Sequence, residues 1–150
     1  MNLNISTYIK RILLAGFIAL VILSIGVYVI GNVSGYQAKE LLTKSLEGLN
    51  ILSNTIILAS ATILALLLTV LNITSDLKSK IKDGHYKNIL WVAKFDTAVL
   101  IMAILSFLIF NLPITESDSL PSNWFKIIYY ISIGISSLLG AGLIVVILML

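Results

Sequence analysis

Four long apolar stretches constrain this chain more than any other feature of its sequence. They run over residues 12–30, 51–73, 89–112 and 127–150, and short polar segments separate them. A helix needs roughly 20 apolar residues to cross about 30 Å of hydrocarbon. Because lipid offers no water to the backbone, each stretch is predicted to be a transmembrane α-helix.

The composition agrees with a chain that resides in lipid. Of the 150 residues, 59% are hydrophobic and only 11% are charged, and the mean hydropathy is +1.05. A soluble domain carries about 25% charged residues, and so few charges would leave large apolar patches in water. We therefore predict an all-α, polytopic membrane protein, a single domain over residues 1–150 built as a four-transmembrane-helix bundle in a lipid bilayer.

Lysine and arginine in the short loops predict the direction of the helices. Lys10 and Arg11 precede span one. The segment around the second loop carries Lys78, Lys80, Lys82 and Lys87. These charges predict a multi-pass protein of the inner (plasma) membrane with both termini in the cytoplasm. The loop lysines lie near anionic lipid, where they either enforce this topology or dock a cytoplasmic protein.

The segment between spans one and two is predicted to form a short amphipathic outer helix. Apolar residues recur at helical spacing over residues 38–49, and Glu40 and Lys44 form an i,i+4 pair on the other face. This helix either lies in the membrane interface or extends span two. Before span four, Ser122 is predicted to cap the helix.

Span two carries a face of hydroxyl and small side chains at near-heptad spacing. Its members are Thr55, Leu58, Thr62, Ala65, Thr69 and Asn72. A helix surrounded only by lipid has no need of such a face, so it is expected to meet protein or water. Two interpretations remain open: helix packing, in which threonine bonds across helices or to its own backbone, and the lining of a narrow wet path.

Span four carries a ridge of small residues spaced by four. Ser132, Ser136 and Gly140 form it, and such ridges let two helices approach closely. Helix packing is the favoured interpretation. A ridge that the four helices leave uncovered would face a second copy, which favours a homo-oligomer.

Asp96 is the only acidic residue in any predicted span. An ionisable group inside a membrane is a functional hypothesis in its own right. If Leu112 marks the outer edge, Asp96 lies about 6 Å inside the inner edge of a 30 Å core. It is either a boundary residue or a gating, ion-attracting or proton-carrying carboxylate. Lys94 is shallower and does not share its helix face.

Catalytic and cofactor motifs are not found in this sequence. The chain has no cysteine and one histidine, His85, which removes most nucleophile–base arrangements. It contains no HExxH, Walker loop or GxGxxG pattern. We therefore predict a protein that is not an enzyme and that binds no cofactor, metal or nucleic acid.

Three hypotheses of function follow from this plan, which resembles that of many small bacterial membrane proteins. The first is a self-associating membrane subunit with a channel-like path lined by span two. The second is a membrane anchor or an immunity- or defence-type protein that acts on a partner through its loops. The third is a small transporter, which requires a polar cavity at the midplane.

Overall fold

The structure, a computed structural model, describes residues 5–30, 35–76, 83–113 and 121–150. The helices are α1 over Ile5–Ile30, α2 over Gly35–Asp76, α3 over Asp83–Phe110 and α4 over Ser122–Met149. The described part of the chain contains no strand. The prediction of an all-α, four-helix protein is therefore confirmed.

Three of these helices are long and apolar enough to cross a membrane. Their apolar segments are Gln37–Ile73 in α2, Tyr86–Phe110 in α3 and Asn123–Met149 in α4. The described side chains of α1 form a shorter apolar segment, Ile12–Gly26. Large apolar side chains are exposed on the outside of all four helices, and hydrocarbon is the solvent that suits such a surface.

Helix α2 continues without a break from the outer segment into span two. It has 42 residues, which corresponds to roughly 63 Å at 1.5 Å per residue. The predicted amphipathic helix is therefore the first part of α2, which is the second of the two forms expected. The predicted pair on its polar side is confirmed, since Lys44 Nζ donates to Glu40 Oε1 at 2.7 Å.

The first turns of α2 pack against the start of α4. Ala38 and Leu42 form a buried apolar cluster with Phe125 and Tyr129. The ammonium nitrogen of Lys39 lies 5.3 Å from the centre of the Phe125 ring, a distance at which the ring attracts a cation. These contacts join the outer part of α2 to the bundle, so this part is more than a connector resting on lipid.

A larger apolar cluster lies between α2, α3 and α4 and forms the core. Its buried members are Ile56, Leu67, Val92, Ala93, Val99, Ala103, Leu139 and Val146. Helix α1 packs mainly on α4. At Gly16 the two helices approach so closely that an added Cβ would come within 2.5 Å of Val145 Cγ2. Further along α1, residues 21–26 are exposed.

The ends of α3 and α4 depend on local chemistry. Helix α3 ends at Phe110, and Asn111 in the following turn exchanges side-chain hydrogen bonds with Asn50 of α2 at 3.3 and 3.4 Å. The prediction that Ser122 caps α4 is wrong. Ser122 is already helical, and the cap position is Pro121. Pro121 makes no side-chain cap bond, because the proline ring contains no hydrogen-bonding group, but it holds φ near the helical value.

Candidate functional site

The inward face of α2 is a seam of buried residues at steps of three, four or seven positions. Its buried members are Ala38, Leu42, Leu49, Ser53, Ile56, Ser60, Leu67 and Leu71. This spacing keeps one stripe of a helix against its neighbours over many turns. We call it the serine seam, after its two polar members, Ser53 and Ser60. Both are fully enclosed, with 1% and 0% of their surfaces exposed.

Asp96 lies on the matching inward face of α3. It shares this face with Val92, Val99 and Ala103, and none of its surface is exposed. It lies close to the midpoint of α3, about 20 Å from either end of the helix at 1.5 Å per residue. The helix begins six residues before the predicted span, which adds about 9 Å of helix before Asp96.

Among the described residues, four buried side-chain oxygens on α2 and α3 lack hydrogen-bond partners. The Ser60 hydroxyl faces the Asp96 carboxyl group. Within the described residues, however, neither Asp96 Oδ1 nor Oδ2 has a hydrogen-bond partner, and the same holds for the hydroxyls of Ser60 and Ser53. A buried hydroxyl without a partner costs about 1–3 kcal/mol, and a buried charge without a partner costs more. Such groups require an explanation.

Close helix packing surrounds Asp96. One turn further along α3, Val99 contacts α4 at Gly142, where an added Cβ would lie 3.1 Å from Val99 Cγ2. Lys94, which precedes Asp96 by two residues, is exposed. The two side chains therefore point to different sides of α3, as their spacing predicts.

The threonine face of span two lies on the outside of the bundle. We use this name for Thr55, Thr62, Ala65, Thr69 and Asn72, all of which are exposed. Each threonine follows a seam position by two residues, which is about 200° around the helix axis. The face therefore does not serve helix packing within the chain.

The threonine hydroxyls are all bonded to their own helix. Thr55 Oγ1 donates to the carbonyl of Ile51, Thr62 Oγ1 to that of Leu58, and Thr69 Oγ1 to that of Ala65, each at 2.8 Å. This bond is one of the two forms of packing chemistry expected for the face. It satisfies the hydroxyl hydrogen without a second helix and leaves lone pairs on each oxygen.

The small-residue ridge of α4 is only partly used inside the bundle. Ser132 and Ser136 are buried, and Ser136 Oγ donates to the carbonyl of Ser132 at 2.9 Å. Gly140 is half-buried, and a Cβ added there would meet nothing within 4 Å. The close approach to α3 occurs at Gly142 instead, two residues further along and about 200° around the helix from Gly140.

An apolar cavity of about 150 Å³ lies between α2, α3 and α4. It is lined by Leu42, Leu46, Ile109, Phe110, Ile128, Ile131, Ser132 and Ile135. With one serine among eight residues, it is unlike the polar midplane cavity that a transporter needs. The cavity opens to the surface of the bundle, because Ile109 and Ile131 in its lining are exposed.

The basic residues predicted near the membrane surface are largely outside the described part of the chain. Lys78, Lys80 and Lys82 lie in the segment between α2 and α3, outside the described residues. Lys87 is within α3 and is exposed. An exposed lysine could either enforce the membrane topology or bind a cytoplasmic protein, so both interpretations stay predictions.

Sequence reasoning singled out Asp96 but missed Ser53 and Ser60. A signal was available, because the two serines are seven residues apart and fit the three- and four-residue steps of the apolar positions around them. The threonines of α2 have the same seven-residue period and are more numerous than the serines, so the pattern favoured the threonine face.

Comparison of the chain with protein-family models, with curated proteins and with solved structures finds no match. The fold and the site therefore define the class of protein by themselves. It is an all-α bundle whose long helices are apolar enough to cross a membrane, and within the part of the chain that the structure describes one carboxyl group is enclosed, between α2 and α3.

Proposed function

We propose that the protein is a small integral membrane subunit that self-associates through the threonine face of α2. The observation that supports this proposal is the outward position of that face, opposite the serine seam. Small side chains and hydroxyls let two helix backbones approach closely in lipid. Leu58 lies on the same side of α2 and is exposed, but the other positions carry smaller or polar side chains where leucine or isoleucine would serve lipid equally well. Their recurrence favours a protein neighbour.

An ion-conducting path in this assembly would lie between copies of the chain. The core of a single bundle is filled by apolar side chains, whereas the threonine oxygens on the outside retain lone pairs that can face water or an ion. Several copies arranged with this face inward would line a narrow path with hydroxyl oxygens.

The proposed location is the inner membrane, with both termini in the cytoplasm. The support is the positive charge near Lys10 and in the segment between α2 and α3, because lysine and arginine accumulate on the cytoplasmic side. In this orientation the Asn50–Asn111 pair faces the outside.

Cysteine cross-linking tests the proposal directly, because the chain has no cysteine of its own. In native membranes, T62C and T69C are each expected to form disulfide-linked dimers under mild oxidation. The matched control is L68C, next to Thr69 and about 100° around the helix from it, where the side chain is 56% exposed. Equal cross-linking of L68C, or none at Thr62 and Thr69, would contradict the proposal.

The conducting path has its own test. If the path is wet, a small water-soluble thiol reagent is expected to label T62C in vesicles and to change the conductance of reconstituted bilayers. Labelling of L68C by the same reagent is expected to be slow, because that position faces hydrocarbon. If T62C forms cross-links but is not labelled, and the bilayers show no conductance, the proposal of self-association stands and the proposal of a conducting path is contradicted.

A further inference from the structure

The polar atoms between α2 and α3 form a site that self-association does not use. Asp96 and Ser60 are both completely buried, they face one another, and within the described residues their oxygens accept and donate no hydrogen bond. The threonine hydroxyls on the other side of α2 are all satisfied. Among the described residues, three of the four buried oxygens without a partner therefore belong to Asp96 and Ser60.

Among the described residues, no charged side chain is placed to neutralise Asp96. On α2, the charged residues are Lys39, Glu40, Lys44, Glu47 and Asp76. The nearest of them in sequence, Glu47, is about 20 Å along the helix from Ser60. On α4, the titratable side chains are Lys126, Tyr129 and Tyr130, and the last is about 18 Å along the helix from Gly142. On α3 itself, Tyr86, Lys87 and Lys94 are exposed.

The number of converging oxygens identifies the ligand. A metal cation such as Ca²⁺ or Mg²⁺ takes about six or more oxygen ligands. Here one carboxyl group meets one hydroxyl, that of Ser60. Ser53 lies two turns before Ser60 on α2, about 10 Å away along the helix. A proton needs only one carboxylate oxygen to bind and one acceptor for its hydrogen bond. The enclosure therefore suits a proton and is too poor in oxygens for a metal ion.

We propose that Asp96 is a proton-binding site, with Ser60 as the hydrogen-bond partner of the neutral acid, and that release of the proton loosens the contact between α2 and α3. In the closed bundle the acid keeps its proton, because an enclosed carboxylate without a counterion costs several kcal/mol. When the pH rises, the proton passes to water that enters at this level. The carboxylate then remains hydrated, and the packing opens.

The protonation state is tested by infrared spectroscopy of the full chain in bilayers. The carbonyl stretch of a neutral carboxylic acid is expected at neutral pH and is expected to disappear in D96N, which is neutral at every pH and nearly the same shape. If the difference between the two spectra contains only ionised carboxylate bands at neutral pH, the proposal is overturned.

The opening is tested with a single reporter cysteine, A93C, one turn before Asp96 and buried in the same core cluster. Its labelling by a small water-soluble thiol reagent is compared with and without D96N at each pH, so that the pH dependence of the thiol largely cancels. The labelling rate of A93C alone, divided by the rate of A93C with D96N, is expected to be near one at about pH 5 and to reach about ten at about pH 9. An ionised Asp96 would disfavour the thiolate and slow labelling, so electrostatics alone cannot produce the rise.

A ratio that stays near one over this range would overturn the proposal, because ionisation would then open nothing. The role of Ser60 is tested with S60A, which is expected to move the midpoint of the pH transition. The matched control is T62A, two residues away on the exposed face, which is expected to leave the midpoint in place. Equal behaviour of S60A and T62A would remove Ser60 from the site.

Discussion

Helix α2 carries two sets of hydroxyl side chains with the same period and different surroundings. Ser53 and Ser60 point into the bundle and are enclosed, while Thr55, Thr62 and Thr69 point away from it. The outward hydroxyls are all bonded to the backbone of their own helix. Among the described residues, the two inward hydroxyls have no partner.

The difference teaches how a membrane helix treats polar groups on its two sides. A hydroxyl on the outside of the bundle has no neighbouring helix of its own chain to bond, and threonine satisfies it by bonding to the carbonyl four residues before it. A hydroxyl inside the bundle can instead be kept for a neighbour. In this chain the neighbour of Ser60 is Asp96, so the less conspicuous set of hydroxyls lies beside the ionisable group.

The largest expected effect compares two apolar positions on the two sides of α2. Ile56 lies in the seam and is 1% exposed, whereas Leu58 is 62% exposed. I56A is expected to lower the free energy of unfolding by about 2 kcal/mol or more through lost packing, and L58A by less than about 0.5 kcal/mol. Unfolding in mixed detergent micelles measures both, and equal losses would contradict the assignment of the two faces.

The next effect concerns the hydroxyl that the bundle encloses without a partner. S53A removes an unsatisfied polar atom and is expected to raise the free energy of unfolding by about 1 kcal/mol. T55A, two residues on, removes a hydroxyl that is already bonded to Ile51, and its effect is expected to stay within about 0.5 kcal/mol. Destabilisation by S53A in the same micelle assay would mean that Ser53 has a partner.

A smaller effect sharpens the comparison with a polar pair that is satisfied. Asn50 of α2 and Asn111, in the turn that follows α3, exchange two side-chain hydrogen bonds. In a double-mutant cycle of N50A and N111A, a coupling energy of about 0.6 kcal/mol is expected, the average for interhelical bonds in membranes. Additive losses, with no coupling, would show that the pair adds nothing to the contact between these helices.

The smallest effect on the bundle is expected on the threonine face. T62V keeps the shape of the side chain and removes a hydroxyl that is bonded only to its own helix. The free energy of unfolding of the single chain is therefore expected to change by less than about 0.5 kcal/mol. If T62V destabilises the bundle by more than about 1 kcal/mol at protein concentrations where the chain is dispersed, the outward assignment of this face fails.

Sequence reasoning predicted much of the fold and part of the site. The sequence predicts the four helices, the Glu40–Lys44 pair and the unusual position of Asp96. These features can be predicted because a membrane requires long apolar helices, among which each charged residue stands out. The burial of Ser60 could not be predicted, since serine can lie on either side of a membrane helix. Gly142 and Gly140 illustrate the same limit, because spacing favours the ridge that includes Gly140, whereas only Gly142 lies close to Val99.

What the amino-acid sequence determined by itself is the solvent and the secondary structure. Its apolar stretches are too long and its charges too few for water, and backbone groups in lipid must be satisfied within each helix. Only the tertiary structure decided which side of α2 faces its neighbours and that Asp96 meets Ser60. In lipid both sides of a helix are apolar, so hydrophobicity does not separate inside from outside. The fit of side chains between helices makes that choice.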